Sequence, residues 1–145
     1  MTLFRTLLFF LSIFFSTATF ADIAGLTIDD AWIAEAPPVS KVMVGYMMFN
    51  NTSSADIKIV SAESSVYSSI EFHETLYEDG MARMVWHKDI TVPKNSSTLL
   101  TRGGKHLMLF NPSTRLKAGD IVTIKFTTDT AQTVDAVITV KKTQH

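Results

Sequence analysis

The chain has 145 residues, a formal net charge of −1 and no cysteine. This length suits a single domain, and the charge gives no indication of nucleic-acid binding. Because cysteine is absent, disulfide bonds, thiolate zinc sites, iron–sulfur clusters and cysteine nucleophiles are all excluded.

The N-terminal segment has the pattern of a secretory signal. Arg5 provides a positive start, residues 7–15 form an apolar run, and Thr19-Phe20-Ala21 is an acceptable cleavage site. A membrane-spanning helix needs about 20 apolar residues, so we predict no retained membrane anchor. The absence of cysteine also argues against a lipid anchor of the lipoprotein type. We predict that residues 1–21 are removed and that residues 22–145 form one domain in the periplasm.

The remaining chain has the alternation that is typical of β-strands. Val122, Ile124 and Phe126 alternate with polar residues, and residues 134–140 show the same pattern. The other predicted strands cover residues 26–33, 42–50, 57–62, 67–76, 81–86, 97–101 and 106–110. Turn-forming clusters separate them, and no long segment has helical periodicity. The pattern predicts an all-β Greek-key sandwich or barrel of about eight to nine strands.

Histidine and methionine are the residues best suited to chemistry in this chain. His106 and Met108 are two residues apart on a predicted strand, so their side chains share a face opposite Leu107. His73 and Met84 lie on the consecutive predicted strands 67–76 and 81–86. A hairpin between those two strands would bring this second pair into one region.

Two imidazoles and two thioethers would form a soft, uncharged donor set. Such donors suit Cu(I) and discriminate against Ca²⁺ and Mg²⁺, and zinc sites rarely use methionine. A blue-copper centre is excluded because it requires a cysteine thiolate.

The other methionines and histidines receive mainly structural interpretations. Three methionines are predicted to fill the core: Met43, Met47 and Met48. His87 is predicted to be a solvated surface residue, although His87 and Met81 remain open as auxiliary metal donors.

The spacing of the four candidate donors is more specific than either pair. Ten residues separate His73 from Met84, 21 separate Met84 from His106, and one separates His106 from Met108. This His-x10-Met-x21-His-x-Met pattern resembles the signature of the periplasmic copper chaperones called PCu(A)C. The resemblance extends over residues 28–141 and includes the following motifs: Asp30-Ala31-Trp32, Ala36-Pro37-Pro38, Gly103-Gly104-Lys105 and Leu116-Lys117-Ala118-Gly119-Asp120.

The resemblance implies a cupredoxin-like Greek-key β-barrel that binds one Cu(I) near its surface. The implied ligands are His73, Met84, His106 and Met108. The family delivers copper for cytochrome c oxidase, so the implied partners are an oxidase subunit or another copper chaperone. Some members of the family carry a tail rich in histidine and methionine that adds a Cu(II) site. After Met108 this chain contains only one further histidine, His145, and no methionine, so the resemblance is not extended to a second site, and Cu(II) binding stays open.

We therefore expect a copper carrier that is not an enzyme and that transfers its ion by ligand exchange. Exchange needs an accessible edge, so Met84 or Met108 should be partly exposed. Two other functions remain open: periplasmic copper storage or detoxification, and a metal-free exported β-sandwich interaction module. A copper enzyme is less consistent with the residues, because copper sites for oxygen chemistry are usually rich in histidine.

Overall fold

The computed structural model describes residues 24–143, which form ten β-strands and no helix. The strands are β1 (Leu26–Ala34), β2 (Val42–Asn51), β3 (Ile57–Glu63), β4 (Tyr67–Glu78), β5 (Met81–His87), β6 (Ile90–Val92), β7 (Ser96–Leu100), β8 (Lys105–Pro112), β9 (Ile121–Thr128) and β10 (Thr133–Lys141). The predicted secretory signal over residues 1–21 lies outside the described residues. Within the described part, no helical segment could cross a bilayer.

The strands form a β-sandwich, and strand β2 belongs to both of its layers. Pairing follows the order β5-β4-β8-β2-β1-β10-β9-β3-β6, and β7 also pairs with β2. The first half of β2 pairs with β8 and the second half with β7. Strand β3 contacts β4, and β6 contacts β7. The two layers therefore enclose one core between their inner faces.

Alternation along the strands decides which side chains enter that core. In β9, Val122, Ile124 and Phe126 are buried, whereas Thr123 and Lys125 between them are exposed. This arrangement confirms the alternation predicted from the sequence. Burying an aliphatic or aromatic side chain of this kind contributes about 1.5–3 kcal/mol, so the regular pattern of β9 is a direct source of stability.

The structure contains one strand more than the nine segments predicted. The additional strand, β6, pairs with β3 through Ile90 opposite Ile59 and Val92 opposite Ile57. Both Ile90 and Val92 are buried. Three residues are too few to show period-two alternation, so the pattern could not reveal this strand.

A β-bulge in β1 changes which face its side chains join. Relative to β2, β1 gains one residue between Asp29 and Trp32, and Asp30 has a φ of 51°, a conformation that bulges commonly require. Leu26 before the bulge and Ile33 after it are both buried, although they are seven positions apart. The bulge therefore reverses the alternation and leaves Trp32 on the outer face.

The predicted core role of three methionines is confirmed for two of them. Met43 and Met47 are buried in the core. Met48 is only half-buried and pairs with the exposed Leu99 of β7. The core prediction for Met48 is wrong because strand alternation places this residue on the outer face of β2.

Candidate metal centre

Two histidines lie side by side on the outer face of β4 and β8. His73 pairs directly with His106, and the two rings are stacked with centroids 6.2 Å apart at an interplanar angle of 28°. Phe72 precedes His73, and Leu107 follows His106. Both lie on the other face and are buried in the core. The histidines therefore point away from the core, and for His106 this is the face opposite Leu107 that the sequence predicted.

Two methionines lie on the same outer face. Met84 of β5 pairs with Thr75, and Met108 of β8 pairs with Glu71. Thr75 and Glu71 each lie two residues from His73, so both methionines are diagonal cross-strand neighbours of this histidine. Diagonal neighbours are about 7–8 Å apart at the backbone, within reach of long side chains. The β4–β5 hairpin thus brings Met84 and His73 into one region, as predicted.

Each imidazole is oriented by a hydrogen bond from one of its nitrogens. His106 Nδ1 lies 2.9 Å from the carbonyl oxygen of Gly104, and His73 Nε2 lies 2.8 Å from a carboxylate oxygen of Glu71. A carbonyl and a carboxylate can only accept, so these nitrogens carry the protons. In the neutral rings, Nε2 of His106 and Nδ1 of His73 therefore have a free electron pair.

The second nitrogen of His73 has no partner in the structure. Nδ1 of His73 is buried and makes no hydrogen bond. Among the described residues, every other buried side-chain nitrogen or oxygen has a hydrogen-bond partner. Buried polar atoms without a partner are rare in folded proteins because each one costs about 1–3 kcal/mol. A metal ion on this face would give that electron pair a partner.

Exposure increases from the histidines toward β5. His106 is 5% exposed, and Met108 is half-buried. Met84 is 54% exposed, so the donor set is open to solvent at one edge, as a site for ligand exchange requires. This edge is formed by β5, which lies at the end of the pairing order.

The donor chemistry of this face restricts the metals that it can hold. In residues 24–143, no group of three His, Asp or Glu side chains is placed to hold a metal ion. A metal centre on the outer face of β4 and β8 would therefore need the thioethers as well as the imidazoles. Soft thioether ligands favour Cu(I) over hard cations.

The two auxiliary donors left open by the sequence lie on the opposite face. His87 pairs with Phe72, and Met81 pairs with Glu78. Phe72 and Glu78 are each an odd number of residues from His73 along β4. His87 and Met81 therefore point away from the outer face that carries the four candidate donors, which we call the donor face. His87 Nε2 instead contacts a carboxylate oxygen of Glu74 at 2.8 Å, which explains this histidine without a metal.

Glu74 is the centre of a separate ion-pair network on that opposite face. Its carboxylate accepts hydrogen bonds from Lys105 Nζ at 3.1 Å and from His87. Desolvation raises the pKa of Glu74, but the hydrogen bonds from Lys105 and His87 outweigh it, so the pKa lies below its ordinary value. The network stabilises the β5–β4–β8 layer beneath the donor face.

The groups that orient the histidines were not predicted from the sequence. Glu71 could have been found, because it precedes His73 by two residues on a predicted strand and therefore shares its face. The role of Gly104 could not, because its carbonyl is positioned by the turn before β8. That turn is closed by hydrogen bonds between Thr101 and Gly104 and between Thr101 and Lys105.

Comparison with known proteins identifies the family. Residues 26–140 match the family described as "Putative lipoprotein LpqE-like". A relative from Leifsonia xyli, "Putative lipoprotein Lxx21020", is 29% identical over 118 residues, covering 81% of this chain and 70% of its own length.

Solved structures show the same fold. Cu(I)-bound DR1885 from Deinococcus radiodurans is 29% identical, with a TM-score of 0.67 over 83% of this chain and 80% of its own. The copper-bound PCuAC domain of PmoF2 is 17% identical, with a TM-score of 0.71 over 85% of this chain and 97% of its own. These matches confirm the predicted cupredoxin-like β-sandwich and the resemblance noted in the sequence. The chain belongs to the LpqE-like family and has the fold of PCuAC domains.

Proposed function

We propose that this protein binds one Cu(I) ion through His73, Met84, His106 and Met108. The observation that carries the proposal is the unpartnered, buried Nδ1 of His73 on a face that holds one further imidazole and two thioethers. Four uncharged soft donors match the ligand preference of Cu(I).

The hydrogen bonds of the two histidines support this assignment. Metal-binding histidines almost always donate their other N–H group to a carboxylate or a backbone carbonyl. His73 donates to Glu71, and His106 donates to Gly104. Both rings thus have the hydrogen-bonding arrangement that is typical of metal-binding histidines.

The comparisons support copper as the metal. The solved structure of DR1885, which is 29% identical to this chain, contains Cu(I). A copper-bound PCuAC domain has the same fold as this chain. The thioethers also suit an exported protein, because they bind without losing a proton and cannot form disulfide bonds. The lipoprotein names of the relatives agree with export, and the proposal places the mature chain, residues 22–145, in the periplasm.

The exposed edge of the site suits a carrier. Met84 is more than half exposed, so a donor of a second protein can reach the ion while this thioether leaves. Met108 and the two histidines hold the ion during the exchange. The proposed role is therefore a non-enzymatic carrier that delivers copper to a cytochrome c oxidase subunit or to another copper chaperone.

An anaerobic Cu(I) titration against a chromophoric chelator tests the binding site. The wild-type protein should bind one equivalent, and Met84→Ala should bind at least about 10-fold more weakly, as is typical for the loss of groups that support a metal. Met81→Ala is the matched control, because Met81 is an exposed methionine of the same strand on the opposite face. Failure to compete for Cu(I), or an equal loss in both variants, would refute the assignment.

A transfer experiment tests the carrier role. The copper-loaded protein is mixed with the apo copper-binding domain of an oxidase subunit from the same organism, and the metal content of each protein is measured after separation. Movement of copper to the oxidase domain supports delivery. Retention of copper would instead support storage or detoxification.

A further inference from the structure

A basic cleft lies on the outer face, and strand β2 separates its strands β1 and β10 from strand β8 of the candidate metal centre. It has a volume of about 540 Å³ and is lined by Trp32, Arg102, Lys141 and Lys142. Three of these four residues are cationic, and none is acidic. The chain as a whole has a formal net charge of −1, so the lining of the cleft is more positive than the chain average.

The central guanidinium of the cleft is held in place from two sides. Arg102 lies over the ring of Trp32, 5.4 Å from its centroid, and hydrogen-bonds the hydroxyl of Tyr46. Burial raises the pKa of Tyr46, and the nearby Arg102 opposes part of that rise. A guanidinium that is already ordered loses less conformational entropy when it binds a ligand. Its planar donors match a carboxylate better than a flexible ammonium group does.

The two lysines add charge that the fold does not neutralise. Within residues 24–143, no carboxylate lies within ion-pair distance of Lys141 or Lys142, and both are exposed. A single carboxylate would be enough to contact the guanidinium of Arg102. Two further cations at the same cleft favour a ligand with several negative charges.

The position of the cleft favours a protein as this ligand. Trp32 of β1 pairs with Tyr46 of β2, and the preceding residue, Gly45, pairs with Leu107 next to His106. The cleft and the candidate metal centre are therefore neighbours on one face, and a protein that reaches the metal donors would also cover the cleft. This step rests on the proposed function, whereas the charge of the cleft does not.

We propose that the cleft binds an acidic segment of a partner protein. The guanidinium of Arg102 would contact one carboxylate, and Lys141 and Lys142 would attract the neighbouring ones. The turn that carries Arg102 also carries Gly104, whose carbonyl orients His106. A docked acidic segment would therefore place the partner next to the copper donors.

Peptide binding followed by NMR tests the proposal. The probe is an N-acetylated hexapeptide with two glutamates and two aspartates, and the control peptide has glutamine and asparagine at these positions. The indole N–H signal of Trp32 should shift with the acidic peptide and not with the neutral one, while the signal of Trp86 stays in place. Lys141→Gln/Lys142→Gln should weaken binding at least about 5-fold, and raising the salt concentration should weaken it further.

Matched controls separate the proposal from its alternatives. Lys58→Gln/Lys94→Gln removes the same charge from two exposed lysines outside the cleft and should leave peptide binding unchanged. Equal weakening by both double variants would refute the cleft, as would an equal shift with the neutral peptide. Inorganic phosphate that binds as tightly as the peptide would show a simple anion site, and a response only to phosphatidylserine vesicles would show a membrane site. Both results overturn the proposal.

The copper titration distinguishes this proposal from the proposed function. Lys141→Gln/Lys142→Gln should still bind one Cu(I), because neither lysine is a donor. If the wild-type protein binds the acidic peptide but no copper, the copper function fails and the cleft remains. If it binds copper but not the peptide, only the cleft proposal fails.

Discussion

Two methionine truncations should separate the stability of the fold from its capacity to bind copper. Met43 is 3% exposed, and the buried hydroxyl of Tyr67 donates a hydrogen bond to its sulfur at 3.4 Å. Truncating a buried methionine to alanine costs about 2–5 kcal/mol. Depriving a buried hydroxyl of its acceptor costs about 1–3 kcal/mol. We expect Met43→Ala to lower the free energy of unfolding by about 4 kcal/mol, which lowers Tm by roughly 12–20 °C in a domain of this size.

Met84→Ala should have the opposite profile. Because Met84 is 54% exposed, its truncation should change the free energy of unfolding by less than about 0.5 kcal/mol, while the affinity for Cu(I) falls. Met43→Leu keeps the core volume and loses only the sulfur acceptor, so it should recover more than half of the stability lost in Met43→Ala.

The assays are urea and thermal unfolding followed by circular dichroism, with Cu(I) competition at low temperature where all variants are folded. Met43→Ala should keep its Cu(I) affinity within about 3-fold, because the Met43 side chain lies in the core, on the face of the sheet opposite the proposed donors. Equal destabilisation of the apoprotein by Met84→Ala and Met43→Ala, or loss of copper binding by folded Met43→Ala, would contradict this separation of fold and site.

Three further predictions concern groups around the site and in the core. Glu71→Gln should weaken Cu(I) binding about 10- to 100-fold, because the carboxylate orients His73; an unchanged affinity in the competition assay would contradict this role. Gly103 has a φ of +73°, so Gly103→Ala should cost about 1–2 kcal/mol in urea unfolding, clearly more than Gly104→Ala, whose φ is not in that region. Burial raises the pKa of Tyr67 to about 12, so between about pH 10 and 12 the unfolded chain loses this proton before the folded one, and the free energy of unfolding should decrease with pH. Unfolding of Tyr67→Phe should lack this part of the decrease.

The local pattern of the chain was sufficient to predict the class of fold and the candidate donors. Alternation in β9 depends only on neighbouring residues, and it correctly predicted the buried Ile124 and the exposed Lys125. The same periodicity placed His106 and Met108 on the face opposite the core. It failed for β6, which is too short to show a period. The core prediction for Met48 was wrong for another reason, because it rested on the usual role of methionine in cores, whereas alternation in β2 places Met48 on the outer face.

Long-range pairing decided the remaining features. The position of β4 between β5 and β8 brings residues from three segments to one face, and it sends His87 to the other face, where Glu74 binds it. The bulge at Asp30 turns Trp32 outward, where Arg102 packs on its ring. The sequence by itself determined the alternation, the spacing of the donors and their soft chemistry, because these are properties of neighbouring residues. Only the tertiary structure decided the register, the partners of the imidazoles and the basic cleft, because these depend on contacts between residues far apart in the chain.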